Sequence, residues 1–276
     1  MGSPSYTLTN SETSSTFDLE YIEEGYISTI DLPFSFSENE NLQVSVFDDG
    51  SDYDKYSCRF SAVMTEASYT SLASVYKGDK ESVFTLSPNS SGGGFCPLTP
   101  AYGDEGTFSF KIKSLRQSGT LDDERYQWFR VEFEIINAGA LPSYSPSTGN
   151  DEGNLQIGTI GGLRYPIGGY QPKVDFKVGA VSTSTLNAYV NDWDSIGSMT
   201  TFKLRLLQDK MSLLIKHLLS ERIANISILV PSGHFPYGAE NGDNKSFTSR
   251  LLNSRLVVKQ IKNKRYEITL EFQKVV

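Results

Sequence analysis

The sequence predicts a mainly β protein of the α+β class, built from two similar antiparallel β-barrel or sandwich units, each with one flanking helix. Three observations lead there. The 276 residues include 15 Tyr, 16 Phe and 23 Gly; aromatic residues favour a pleated, half-buried surface and glycines mark turns. Apolar and polar residues alternate with a period of two in several stretches, as in Phe108-Ser109-Phe110-Lys111-Ile112-Lys113. The order of elements in the first half then recurs in the second.

Residues 1–16 are polar and rich in Ser and Thr, which reads as a flexible N-terminal arm. Residues 26–30 and 43–47 read as strands, and Asp48-Asp49-Gly50-Ser51-Asp52 as a turn. A strand over 56–63 leads to Thr65, a hydroxyl residue suited to cap a helix. That helix runs to Tyr76, with Leu72, Val75 and Tyr76 on one face and Gly78 as its stop. A strand over 82–86 precedes the loop Asn89-Ser90-Ser91-Gly92-Gly93-Gly94. Residues 107–115 alternate until Leu115 breaks the parity, so the strand bulges or ends there. Turn signals at Ser118-Gly119 and Asp122-Asp123 follow, and 128–136 form the return strand.

Residues 138–154, rich in Pro, Gly, Ser and Asn, read as a linker between a first domain (17–137) and a second (155–276). In the second, 174–178 is a strand and Phe202, Leu204 and Leu206 alternate. Asp209 is placed to cap a helix reaching about residue 224, whose stripe of Met211, Leu214, Ile215, Leu218 and Leu219 has a period near 3.6. Strands over 226–230, 255–261 and 266–272 complete the chain, the last two joined by Lys262-Asn263-Lys264.

The two halves align residue by residue. Gly94-Phe95-Cys96-Pro97 and Gly233-His234-Phe235-Pro236 stand 139 residues apart. The same spacing relates Phe108 to Phe247, Arg116 to Arg255, Glu132 to Glu271, Leu72 to Met211 and Val75 to Leu214. Pro88 and Pro231 are 143 apart, so the alignment gives the second helix region about one extra turn and shortens the loop after the next strand by as much. This is the signature of a tandem duplication.

The chemistry-bearing residues are sparse. With 25 basic and 33 acidic residues the chain carries a net charge of −8, a poor basis for gripping phosphates or anionic lipid. Cys58 and Cys96 read as two reduced, partly buried thiols, with a single disulfide between them as the alternative, and four Cys and His in no zinc spacing suggest no metal site. No signal peptide, membrane span or myristoylation pattern is read in the sequence. His217 reads as a partly exposed helix residue, and His234, matched by Phe95, as a packing residue in a turn. Gly158, Gly161 and Gly162, like Gly168 and Gly169, lack the Gly-Lys-Ser/Thr of a phosphate loop and read as turn glycines. Asp48, Asp49, Asp52 and Asp54 lack the spacing of a calcium loop. Glu132 with Glu134, and Glu267 with Glu271, read as polar strand faces rather than a glycosidase pair. Trp128, Phe129, Phe133, Phe108 and Phe110 read as core, and the sequons at Asn89, Asn225 and Asn244 carry little weight without a secretion signal. No catalytic, cofactor-binding or metal residue is assigned, and no cofactor is expected.

The strand–helix–strand unit, the Gly-x-x-Pro loops within residues 87–98 and 231–237, and the closing hairpin that ends in Glu-Phe together resemble the tail-tube fold of tailed bacteriophages. That fold is shared with type VI secretion tubes and baseplate hubs. The resemblance spans about residues 17–137 and 155–276. It implies a virion structural protein, without catalysis, that forms a ring or tube as tail tube or distal tail/hub. Two units per chain imply a homotrimer with pseudo-sixfold symmetry, neighbouring tail proteins as partners, and a lumen that passes DNA without binding it specifically. It also implies synthesis in the host cytoplasm and no membrane insertion. The alternative is a carbohydrate- or surface-binding β module, adhesin-like, in which exposed Tyr and Trp stack on sugars.

Overall fold

In a computed structural model, the described residues are 6–32, 34–38, 44–48, 55–89, 109–123, 126–139, 155–163, 171–174, 198–221, 223–230, 245–262 and 264–275. The strands of the first half are β1 (Tyr6–Asn10), β2 (Thr16–Leu19), β3 (Tyr21–Ile22), β4 (Ile27–Asp31), β5 (Phe34–Glu38), β6 (Val44–Asp48), β7 (Lys55–Thr65), β8 (Val83–Pro88), β9 (Phe110–Asp123) and β10 (Tyr126–Asn137). Helix α1 (Glu66–Gly78) follows β7 directly. The second half holds β11 (Leu155–Ile157), β12 (Ile160–Leu163), β13 (Gln171–Val174), β14 (Ser198–Leu207), α2 (Gln208–Ser220), β15 (Ile226–Val230), β16 (Lys245–Leu251), β17 (Arg255–Lys262) and β18 (Arg265–Lys274).

The predicted class holds: among the described residues the chain is mostly antiparallel sheet with two helices, and their sheet does not close into barrels. One open path runs β12-β11-β15-β16-β18-β17-β4-β7-β10-β9-β8-β1-β2, with β13 and β3 attached beside it through β14 and β7, and β5-β6 a separate hairpin. The first half curls toward itself, because β2 bends at Glu20 into β3, and β3 meets β7 at Tyr21↔Val63 and Ile22↔Ala62. The Glu20 amide donates to the Val63 carbonyl at 2.8 Å across that seam.

The strand order repeats. In the first half β7 neighbours β10, β10 neighbours β9, and β9 neighbours β8. In the second, β14 neighbours β18, β18 neighbours β16 and β17, and β16 neighbours β15. The turn pairs Asp123↔Tyr126 and Lys262↔Arg265 keep the 139-residue spacing. The helices do not: α1 and α2 both have 13 residues, so the expected extra turn in the second helix is absent. Their start points are 142 residues apart, which places Leu214, not Met211, in the position of Leu72. The pairing of β14 with β18 is displaced by two residues relative to β7 with β10, a step that keeps every side chain on its face.

Local chemistry explains most boundaries. The Thr65 hydroxyl accepts the Ser68 amide at 3.2 Å and caps α1. Asp209 does not cap α2; Leu207 is the N-cap, with no side-chain bond, Asp209 lies in the first turn, and the helix stops at Ser220. The Gln208 amide instead donates to the Lys264 carbonyl at 3.0 Å, tying the helix start to the β17–β18 turn. The turn expected at Ser118-Gly119 is a continuous strand: β9 runs to Asp123, and register shifts leave Lys113 and Ser118 as extra residues opposite β10. The parity break at Leu115 is thus a bulge just before it. Strand β16, carrying Phe247, is not among the strands expected from the sequence.

The first half buries Leu8, Phe17, Leu19, Phe60, Met64, Phe84, Leu86, Phe110, Val131 and Phe133; the second buries Phe202, Leu204, Leu206, Phe272 and the α2 stripe. Leu72 alone of α1 is fully buried, whereas α2 buries Met211, Leu214, Ile215 and Leu218. Phe60 stacks on Phe133 at 4.8 Å, and Phe202 meets Phe272 edge-on at 6.0 Å.

The N-terminal residues correct another expectation. Residues 6–10 are not a loose arm: β1 lies between β2 and β8, with Tyr6 and Leu8 buried. The Asn10 carboxamide accepts the Glu12 and Thr13 amides, both at 2.9 Å, and shapes the turn into β2. Removing residues 1–10 therefore uncovers Leu86 and Phe84. We expect this truncation to lower the melting temperature sharply, and Leu8→Ala to cost about 2–5 kcal/mol in denaturant titration; an unchanged melt of the truncated chain would return these residues to the status of an arm.

Candidate functional site

The feature with most structure invested in it is the seam between the halves. Strand β4 pairs on one side with β7 and on the other with β17, in the register Arg255↔Asp31, Leu256↔Ile30, Val257↔Thr29, Val258↔Ser28 and Lys259↔Ile27. Beyond the ladder the Leu32 amide donates to the Ser254 carbonyl (2.8 Å) and the Gln260 amide to the Tyr26 carbonyl (3.0 Å). The Gly25 amide, in a backbone at φ 96° that glycine tolerates, donates to the Gln260 side-chain oxygen at 2.7 Å. At the exposed end Arg255 is hydrogen-bonded to Asp31, and that contact raises the guanidinium's affinity for its proton.

Below the ladder lies a buried hydroxyl cluster. The Tyr26 and Tyr266 hydroxyls are 2.7 Å apart, their rings tilted at 6.0 Å. Burial first, then the neighbouring Tyr266, pushes the Tyr26 phenol well above its ordinary range, so it stays neutral and keeps its hydrogen bond. Ser28 reaches the Tyr56 hydroxyl at 3.0 Å and the Cys58 sulfur at 3.5 Å. The Tyr56 amide donates to Asn137. Such a set holds two strands in one register; it does not expose a nucleophile. Of these residues only Cys58 was singled out in the sequence, and as a buried thiol, because a strand pair from opposite ends of a chain leaves no local periodicity.

The sequence-predicted residues are dispersed. Glu134 is held between Lys113 (2.7 Å) and Arg59 (3.4 Å), and Glu267 between Lys203 (3.0 Å) and Arg205 (2.9 Å). The Lys113 hydrogen bond holds the Glu134 carboxyl below its ordinary range. For Glu267 burial works upward, but the Lys203 and Arg205 hydrogen bonds outweigh it. Both stay ionised near neutrality, whereas a general acid needs its proton. Glu132 and Glu271 are exposed. Phe133 and Phe110 are buried, Phe129 meets Tyr69 edge-on at 5.4 Å, and Trp128 is half-buried. Asn89 accepts from Thr7, and Asn225 from Arg250. Cys58 is buried. His234, Cys96, Phe108, Asn244, Gly168, Gly169, Asp49, Asp52 and Asp54 lie outside the described residues. Among the described residues no group of three or more His, Cys, Asp or Glu is placed to hold a metal, and no helix is long and apolar enough to cross a membrane.

His217 departs from its reading as partly exposed: it is buried at 3%. Its Nδ1 is 3.4 Å from the Thr159 hydroxyl and its Nε2 is buried without a partner. The ring lies over Gly158, which turns β11 into β12 at φ 58°. Gly158, Gly161 and Gly162 are thus hairpin glycines, and Gly158 is also the floor under a histidine.

Two outcomes follow from that packing. A methyl at position 158 would fall on the His217 ring, so Gly158→Ala should cost about 1–3 kcal/mol by overpacking and about 1–2 more for the left-handed backbone. Combining it with His217→Ala should recover the first part only, which a double-mutant cycle measures. Burial lowers the His217 pKa, with Glu221 opposing. The unfolded chain then binds the proton first, so stability is full above about pH 6.5 and falls as the pH drops below it. His217→Gln should flatten that slope in denaturant titrations between pH 7 and 5.

Set against solved structures, the chain is similar to a chain described as the tail of an empty GTA particle, computed with helical refinement and C6 symmetry. The match is 15% identical, covers 51% of this chain and 96% of that chain, and has a TM-score of 0.32. No protein-family model matches, and no curated protein matches.

Proposed function

We propose that this chain is a non-catalytic structural protein of a bacteriophage tail, a tandem duplication whose copies assemble into a ring of the tail tube or of the distal tail and hub. The observation that carries the reading is the β4–β17 ladder. Two halves with one strand order are joined edge to edge into a single open sheet. A chain already joined that way internally extends into a ring by repeating the join with further copies. Three chains of two units give pseudo-sixfold symmetry. Among the described candidates, Glu134 and Glu267 are held in ion pairs and His217 is buried in packing. The net charge of −8 suits a wall that DNA slides past, since adhesion to phosphates needs Lys and Arg to displace counterions. On this reading the protein is made in the host cytoplasm and resides in the virion tail, among other tail proteins.

Negative-stain imaging and light scattering of the purified chain test this. Rings or short tubes with a central hole, and a mass in multiples of three times 30.6 kDa, are expected. A strict monomer at high concentration would overturn the assembly. Retention of the protein on double-stranded DNA, with a steep salt dependence, would overturn passage without binding.

A further inference from the structure

Among the described residues, the intrachain seam has a matching pair of strand edges elsewhere in the molecule. Strand β13 lies against β14 as β4 lies against β7. Gln171 faces Thr201 and Val174 faces Ser198, while Ile27 faces Arg59 and Ile30 faces Tyr56. Aligning β14 on β7 by their helix starts puts Gln171 in the place of Ile27 and Val174 in the place of Ile30. The sequence reaches the same match independently. Gly25-Tyr26, then Ile30-Asp31, recur with identical spacing as Gly169-Tyr170, then Val174-Asp175, 144 residues on. Asp175 lies outside the described residues and enters here by its sequence position alone.

The strand that covers β4 is β17. Its counterpart in the first half, counted from the hairpin turns, is the end of β9, with Arg116 in the place of Arg255 and Gln117 in that of Leu256. Among the described residues β8 covers β9 only at Phe110 and Lys111, and no strand lies on its outer edge from Arg116 onward. Arg116, Gln117, Ser118 and Thr120 are exposed. Among the described residues β13 pairs with β14 alone. Among the described residues, then, one strand of each kind used in the seam has no strand along its outer edge.

We infer that the outer edge of β9 in one copy pairs antiparallel with β13 of a second copy, as β17 pairs with β4 within the chain. Gln117 stands opposite Val174, and Arg116 and Asp175 are the counterparts in sequence of Arg255 and Asp31. The two edges are different surfaces, so the contact is heterologous and closes only as a ring. Pro172, in the place of Ser28, removes one amide from the ladder, as proline does on strand edges that must not pair indiscriminately. This assignment rests on the ring reading above and deepens it.

Cysteine exchange between copies tests it. Gln117→Cys protein mixed with Val174→Cys protein and oxidised should give a disulfide-linked dimer on a non-reducing gel, and neither protein alone should. In a second arm, Arg116→Asp or Asp175→Arg alone should cut the ring population at least tenfold by light scattering, and the double charge exchange should restore it. Rings of unmodified protein with no mixed disulfide, and rings indifferent to both charge changes, would overturn this edge assignment and leave the ring reading standing. A monomer throughout would overturn both.

Discussion

A strand in the interior of a sheet needs hydrogen-bond partners along both edges, and most of this molecule depends on how β4 meets that requirement. Its Ile30 is 1% exposed and Tyr26, just before it, is 3% exposed. One edge is served by β7, in the same half, and the other by β17, from the far end of the chain. Take β17 away and β4 becomes an edge strand, and the Gln260 bonds to the Tyr26 carbonyl and the Gly25 amide go with it. The 138–154 stretch reads as a linker in the sequence, but the sheet crosses from one half to the other, and the stability of each is tied to the other through this ladder.

Register follows from the polar groups under the ladder rather than from the ladder itself. Backbone bonds between antiparallel strands reform after a two-residue slip, and a one-residue slip turns every side chain to the opposite face. Here a slip of either size would separate Tyr26 from Tyr266 and draw the Gln260 oxygen away from the Gly25 amide. Gln260 is fully buried and its Nε2 has no partner. A buried amide that satisfies one side and leaves the other unmet lowers stability, and its oxygen bond to Gly25 is what it contributes in return.

The elements legible in the sequence are those whose pattern is set locally. Strands β7, β10, β14, β15, β17 and β18 alternate cleanly, and Thr65 announces α1. The misread ones owe their state to distant contacts. Polar β1 has apolar Tyr6 and Leu8 at the two positions that matter, and the neighbours that bury them are β2 and β8. Ser118-Gly119 carries a turn signature, yet it is a bulge in a long strand because β10 continues opposite it. His217 was judged by its helical neighbours, whereas Gly158, far off in sequence, decides its burial. The seam itself, the candidate site, had no reading at all: the Asp31–Arg255 pair joins residues that no local window contains.

The two halves share a topology without sharing edge chemistry, and the difference lies in the bulges. In the closing hairpin of the second half the irregularity falls at Ile261, beside the turn, so β17 is straight from Arg255 to Gln260 and lies flat along β4. In the first half the bulges fall at Lys113 and Ser118, inside β9. A bulge bends its strand and tightens the local twist, so the outer edge of β9 cannot copy β17 along its whole length. Ser28 against Pro172 departs in the same sense on the receiving strand. The two halves thus differ at both the donor and the acceptor edge, so what repeats along the chain is the strand order and not the pattern of hydrogen bonds along those edges.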